Sequence, residues 1–306
     1  MSNFEQSSPW IHVTQKQATQ PSNHGEKFVV QFWGVRGLIP TSDSNTSRYG
    51  GNTACVEMQL ANKHLVFDGG TGLRILGKSW LKQQQPLEAH LFFTNSQSNR
   101  IQGFPFFAPA FISENSFHIY GTAASNGASI KQCLYDQMLL PHFPYPLQVM
   151  QSELQFHNFH PGKIVKLDDV TITTALINKI QKSIGYKISW HNYSVAYVTD
   201  LPKEVDPTEQ ENIIQLVKDV DLLITNISNP FTFHKADSAH SHWQTVVDLA
   251  GIHNIKQIVF SHHHPDDSDD WLDQVQMEIA SAFPQAVIAR EGLILDVGQS
   301  ILDFGF

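Results

Sequence analysis

Residues 28–77 read FVVQFWGVRGLIPTSDSNTSRYGGNTACVEMQLANKHLVFDGGTGLRILG. Three runs in this stretch, FVVQFWG, ACVEMQL and HLVFDGG, are rich in β-branched and aromatic residues and are bounded by Gly and Asn, the signature of consecutive strands in a meander. The segment that follows, GLRILGKSWL, places apolar residues at three-and-four spacing, as a helix laid on a sheet does. Strands first, with a helix returning over them, point to an α/β domain in which a sheet is covered on one face.

The same alternation continues outward. AHLFFTN and FHIYGT read as further strands, and TITTALI, YKISW, SVAYVTD, DLLITNI and KQIVFSHHH form a second set. GASIKQCLYDQMLL (127–140), TEQENIIQLVKDV (208–220), SHWQTVVDLAGI (241–252) and SDDWLDQVQMEIASAF (268–283) read as helices. Because the second half repeats the logic of the first, the expected architecture is a four-layer αββα sandwich, two sheets face to face with helices outside. Periodicity alone leaves a single doubly wound sheet open.

A chain of 306 residues with 41% hydrophobic and 16% charged content can bury a full core, which excludes a disordered tail or a small disulfide scaffold. With 20 basic against 29 acidic side chains, net −9, it offers no polycationic surface for nucleic acid or anionic membrane. Cys55 and Cys133 are the only cysteines and fit a reducing, cytoplasmic setting. The first 27 residues, polar and Gln/Ser-rich, show neither a basic start nor an apolar run and read as an arm ahead of a domain over 28–306. The 16 histidines invite a metal reading that has to be tested position by position.

Taken together, FWGVRGLIP (32–40), RYGGNTACVEM (48–58) and LVFDGGTGLRILG (65–77) resemble the opening of a bacterial subfamily of metallo-β-lactamase-fold hydrolases. The resemblance continues through IQGFPFF, SIGYKI, VAYVTD, DLLI, HSHW and FSHHHPDDSDD, and so spans roughly residues 28 to 295. It implies an αββα sandwich with a site at one edge between the sheets. It further implies, in the family, a two-zinc centre that activates hydroxide for ester, amide or phosphodiester hydrolysis.

The metal ligands of that family come chiefly from a His-x-His-x-Asp-His loop, which in this register falls in FFTNSQSNRIQGFPFF (92–107). The four ligand positions hold Asn95, Gln97, Asn99 and Arg100, and the next expected His falls on Asn178. Of the implied ligands Asp200 and His262 remain, with His263 a residual candidate beside them. Neutral amides are poor zinc ligands and a guanidinium has no lone pair to offer, so one Asp and one His cannot close a tetrahedral site. Arg100 is instead expected to act as a built-in cation that meets Asp200 through a charge-assisted hydrogen bond.

Each of these residues also has a bland reading. Asn95, Gln97 and Asn99 suit an ordinary turn, and Asp200 suits a cap on the LPKE turn that follows it. His240, in AHSHW, matches a His that assists proton transfer in the resembling family, yet a surface His at a helix start reads as well. On a strand at most two of His262 to His264 could converge. The acidic run after Pro265 reads as capping of a helix near Trp271 and lacks the spacing of a calcium loop. Gly69, Gly70 and Gly72 lack the Lys-Ser/Thr of a phosphate loop and read as a structural turn, as do Arg36 and Asn52. GFPFFAPAF (103–111) reads as a packed loop over the site.

Three functions remain in view. The first is a non-catalytic member of the fold whose pocket, lined by Asn95, Gln97, Asn99, Arg100, Asn178, Asp200 and His262, binds a small anionic or nucleotide-like ligand or a protein partner without a metal cofactor. The second is a zinc-dependent, phosphodiesterase-like hydrolase built on Asp200, His262 and His240 or His263. The third is a scaffold that makes its contacts through the N-terminal arm.

Overall fold

A computed structural model describes residues 27–83, 86–202, 205–227 and 239–299. In chain order it forms β1 (Phe28–Gly34), β2 (Cys55–Leu60), β3 (Lys63–Phe67), α1 (Gly72–Trp80), β4 (Glu88–Phe92), α2 (Ser98–Ile101), β5 (Ser116–Gly121), α3 (Ile130–Asp136) and β6 (Glu153–Asn158). The second half contributes β7 (Ile164–Leu167), β8 (Val170–Asn178), β9 (Ser183–Trp190), β10 (Tyr193–Val198), α4 (Pro207–Val217), β11 (Leu222–Asn226), α5 (Ala239–Ile252), β12 (Gln257–Ser261), α6 (Asp269–Ala282), β13 (Ala286–Ile288) and β14 (Ile294–Asp296).

The strands build two seven-stranded sheets, ordered β14-β1-β2-β3-β4-β5-β6 and β13-β12-β11-β10-β9-β8-β7. Two separate sheets rule out the doubly wound alternative. Both are mixed: antiparallel in their hairpins, parallel where a helix returns the chain, as from β3 through α1 to β4. Alternation along β1 buries Phe28, Val30 and Phe32 against Tyr186, Ile188 and Tyr197 of the opposite sheet, which forms the central core. On the outer faces Leu73, Leu76 and Trp80 of α1 fill a second core, and α4, α5 and α6 cover a third. Burying each such large side chain is worth roughly 1.5–3 kcal/mol, so the four layers are held by apolar contact rather than by charge.

Local chemistry sets the helix ends. Asp206 and Glu209 form a reciprocal capping box at the start of α4, and Pro207 sits in its first turn. Helix α3 is shorter than its periodicity predicts: Ser129 caps it, and Pro141 disfavours helical backbone at Leu140. At the start of helix α6 Ser268 is the N-cap, and Asp269 and Asp270 of the acidic run stand in the first turn, where carboxylates meet the positive end of the helix. The same carboxylates also fasten the 48–49 segment, since Asp269 accepts from the backbone N–H of Arg48 and Tyr49, and Asp270, together with Asp273 further along the helix, pairs with Arg48. Arg36 is fully buried and donates to the backbone carbonyls of Gly50, His264 and Asp267, so it is a structural strut. Phe104 and Phe107 of the 103–111 segment pack into the outer core around Trp80 and Phe117 rather than walling the site. Among the described residues no helix is long and apolar enough to cross a membrane.

Candidate functional site

The carboxyl ends of β3, β4, β10 and β12 meet at one edge of the sandwich, the place where α/β folds present their chemistry. Asp68 leaves β3 with φ of 63°, Thr94 and Asn95 leave β4, Asp200 follows β10, and His262 leaves β12 with φ of 56°. A positive φ at His262 ends the strand alternation there, which is why the three consecutive histidines do not follow a strand's geometry. The DGGTG turn holds the Arg100 segment close: Gly69 N–H donates to Arg100 O at 2.6 Å, and Gly103 N–H to Gly69 O at 2.9 Å. A Cβ at Gly103 would stand 1.9 Å from Gly70 O, so only glycine permits this approach.

Arg100 stands at the centre. Its Nη1 donates to Asp68 Oδ2 at 2.6 Å and to His262 Nε2 at 2.5 Å, and its Nη2 donates to Asp200 Oδ1 at 2.6 Å. The guanidinium is 2% exposed, and Asp68, Asp200 and His262 are equally sealed. Asp68 also accepts from Thr94 N–H and Oγ1–H at 2.9 Å and from the Tyr197 hydroxyl at 2.9 Å. The second oxygen of Asp200 accepts from Asn95 Nδ2 at 2.7 Å and Ser183 Oγ at 2.9 Å. Asn178 Nδ2 donates to Asp200 O at 3.2 Å.

Charge and burial define the protonation states. Burial alone would lower the Arg100 pKa, but Asp200 and Asp68 outweigh it and hold the guanidinium ionised, above its ordinary value. Burial raises Asp68, only partly offset by Arg100 and Thr94. Burial, with Arg100 alongside, drives His262 well below the usual imidazole range, so the ring is neutral. Since a guanidinium cannot accept, Nε2 of His262 accepts from Arg100 and the proton resides on Nδ1, which has no partner among the described residues.

These residues do not fit a zinc centre. The lone pairs of Asp68, Asp200 and His262 that could face a cation face the guanidinium. The amide oxygens are occupied too: Asn95 Oδ1 accepts from Gln97 N–H, and Asn178 Oδ1 from the N–H groups of Ile180 and Gln181. Among the described residues no group of three or more His, Cys, Asp or Glu is arranged to hold a metal ion.

Of the residues singled out in the sequence, Asn95, Arg100, Asp200 and His262 come together, with Asn178 adjoining. The carboxylate of Asp200 is taken up by Arg100, Asn95 and Ser183, a role larger than capping a turn. Asn99 approaches the DGGTG turn through its backbone carbonyl, behind the cluster. Gln97 lies at the mouth, 3.5 Å from Gln181, in a cleft of about 210 Å³ shared with Thr122, Ser125, Gln181 and Lys182. His263 turns away: its Nε2 donates to Ala289 O at 2.7 Å and its ring packs edge-on against Tyr49, so it is not a partner of His262. The side chain of His240 lies outside the described residues. Sequence reasoning missed Asp68, Ser183 and Tyr197. The available signal was a lone carboxylate directly after a buried strand, where only a partnered charge is tolerated.

No protein-family model and no curated protein matches this sequence. Among solved structures, the metallo-β-lactamase fold protein YhfI from Bacillus subtilis superposes over 89% of this chain and 100% of its own, with TM-score 0.62 and 16% identity. The chain has the metallo-β-lactamase fold. A diphosphatase from the PhnP family shares it, at TM-score 0.63 and 14% identity over 88% of this chain and 97% of that one. So does Zn²⁺-bound PqqB from Methylobacterium extorquens, at TM-score 0.62 and 13% identity over 88% and 99%. In this chain the edge of the metallo-β-lactamase fold that gathers polar side chains gathers them around Arg100.

Proposed function

We propose that this chain is a non-hydrolytic protein of the metallo-β-lactamase fold, in which Arg100 stands in place of a catalytic cation, and that it binds a small anionic ligand at the site mouth. The observation that carries the reading is the single guanidinium shared by Asp68, Asp200 and His262. A metal-activated hydroxide needs open coordination positions and ligands with free lone pairs, and the cluster offers neither. Arg100 is spent on its own carboxylates and is not the group that recognises a ligand. That task falls to the cleft beside it, where Gln97, Gln181, Thr122 and Ser125 supply hydrogen-bonding groups and Lys182 supplies charge.

Metal analysis of protein purified without an affinity tag, followed by a thermal-shift screen with nucleotides and phosphorylated metabolites, tests the proposal. The expected result is well below one zinc per chain, with a ligand-dependent rise in melting temperature that is lost in Lys182→Ala. Stoichiometric zinc that disappears in Asp200→Ala would overturn it in favour of a metal-dependent hydrolase. A melting temperature indifferent to every ligand would overturn the binding half and leave the scaffold reading.

A further inference from the structure

Four rings from neighbouring parallel strands form a ladder through the sandwich. Phe67 stacks on Phe92 at 5.3 Å, Phe92 on Tyr120 at 4.4 Å and Tyr120 on His157 at 4.5 Å, with interplanar angles of 15°, 11° and 15°. They lie on β3, β4, β5 and β6, whose register places Phe67, Phe92, Tyr120 and His157 directly opposite one another in turn. Strand β6 is the last of its sheet, so the ladder stops at a half-buried imidazole with no further strand beside it. A second row holds that ring in place: His118 Nδ1 lies 3.2 Å from His157 Nε2, and His118 stacks on His90 at 4.8 Å.

Strand β7 is the last of the opposite sheet. Between the two edges runs a cleft of about 530 Å³, lined by Tyr120, His157 and Phe159 on one side and by Lys163, Val165 and Lys166 on the other. It shares no lining residue with the cleft at Gln97 and Lys182. Two lysines on one wall are a local exception in a chain of net charge −9, and the nearby carboxylate of Asp168 is already paired with Lys63 at 2.5 Å. The cleft thus combines a fixed ring at the end of a stack, a lining of mixed polar and apolar groups and a positive rim. Stacking on such a platform tolerates any flat π-system, whereas the lysines select for negative charge.

We propose that the cleft between β6 and β7 is a second binding site, for a small planar aromatic anion whose ring continues the stack on His157 and whose charged group meets Lys163 and Lys166. Isothermal titration of the full chain with naphthalene-1-sulfonate, which carries no hydrolysable bond, tests this, with 1-naphthol and inorganic sulfate as separate arms. One saturable site is expected for the sulfonate, weaker binding for the naphthol and none for sulfate. His157→Ala should weaken the sulfonate on the order of tenfold, the loss expected when one stacking partner is removed. His157→Phe should retain binding, which a purely structural role of the imidazole would not predict. Lys166→Glu should weaken binding, and Lys182→Ala should leave it unchanged, which separates this site from the cleft at Gln97 and Lys182. Absence of saturable binding, sulfate binding as tight as the naphthyl compound, or indifference to both His157→Ala and Lys166→Glu would overturn the proposal.

Discussion

Nη2 of Arg100 lies 2.6 Å from Oδ1 of Asp200, joining a guanidinium on the segment after β4 to a carboxylate at the end of β10, with both side chains sealed from water. Asp68 approaches the same guanidinium from the end of β3. One cation therefore ties the central strands of both sheets together at the site edge.

Removing that cation strands two buried carboxylates. Arg100→Met is expected to cost about 3–5 kcal/mol, the penalty of breaking a buried pair from one side. Chemical denaturation measures it, and Asp200→Asn added to Arg100→Met should recover part of the loss. A fall of less than about 1 kcal/mol, the worth of an exposed pair, would contradict the sealed geometry.

Asn95 is neutral for a reason visible in its contacts, since its amide donates to both Ser183 and Asp200. Asn95→Ala is expected to lose about 1–3 kcal/mol, because buried acceptors are left short of donors. Asn95→Asp, which adds a third carboxylate beside Asp200, should lose more at pH 7 and recover relative to Asn95→Ala as the pH is lowered. Equal melting temperatures for the two variants across pH would refute this.

Acid should destabilise the fold through its buried imidazoles. Burial holds His262 well below its usual value of 6.5 and His263 at about 3, so the unfolded chain binds more protons than the folded one once the pH drops below 6.5. Stability is complete above that pH and is lost as it falls, with a limiting slope of about 1.4 kcal/mol per pH unit for each group. His262→Asn, which does not titrate and tolerates the left-handed backbone there, should reduce the slope between pH 6 and 4.5 by roughly one group's share. An unchanged slope in that variant would show that His262 does not stay neutral.

Zinc binding is expected only with a rebuilt donor set. A chain carrying Asn95→His, Gln97→His, Asn99→Asp, Arg100→His and Asn178→His is expected to take up zinc in competition titrations, while Arg100→His alone is not. Tight zinc uptake by the single variant would show that the remaining carboxylates and His262 suffice.

Much of the fold was legible because its strands and helices announce themselves by different periods, as the alternation in FVVQFWG and the three-and-four spacing in GLRILGKSWL show. Strands β6, β7, β13 and β14 were not legible. ELQFHN of β6 is half-buried and polar-rich and so carries a weak strand signature, while IVKL of β7 has only four residues and β13 and β14 only three each, too short to show a period. At the site, the meeting of Arg100 with Asp200 could be read from register. Asp68 left only a faint trace, a lone carboxylate after a buried strand, because the glycines beside it account for the turn while its charge is spent across the chain on Arg100. Tyr197 was equally hidden: it reads as an apolar residue of a buried strand, and only its hydroxyl, 2.9 Å from Asp68, reveals a second duty.

Because Asp68, Asp200 and His262 all depend on one side chain, their substitutions are not independent steps. Exchanging Arg100 first exposes the carboxylates to each other, and exchanging either carboxylate first strips the guanidinium of a counterion. Each single departure is penalised before any combination can be rewarded, so substitutions at this edge are coupled through one guanidinium and their costs will not add.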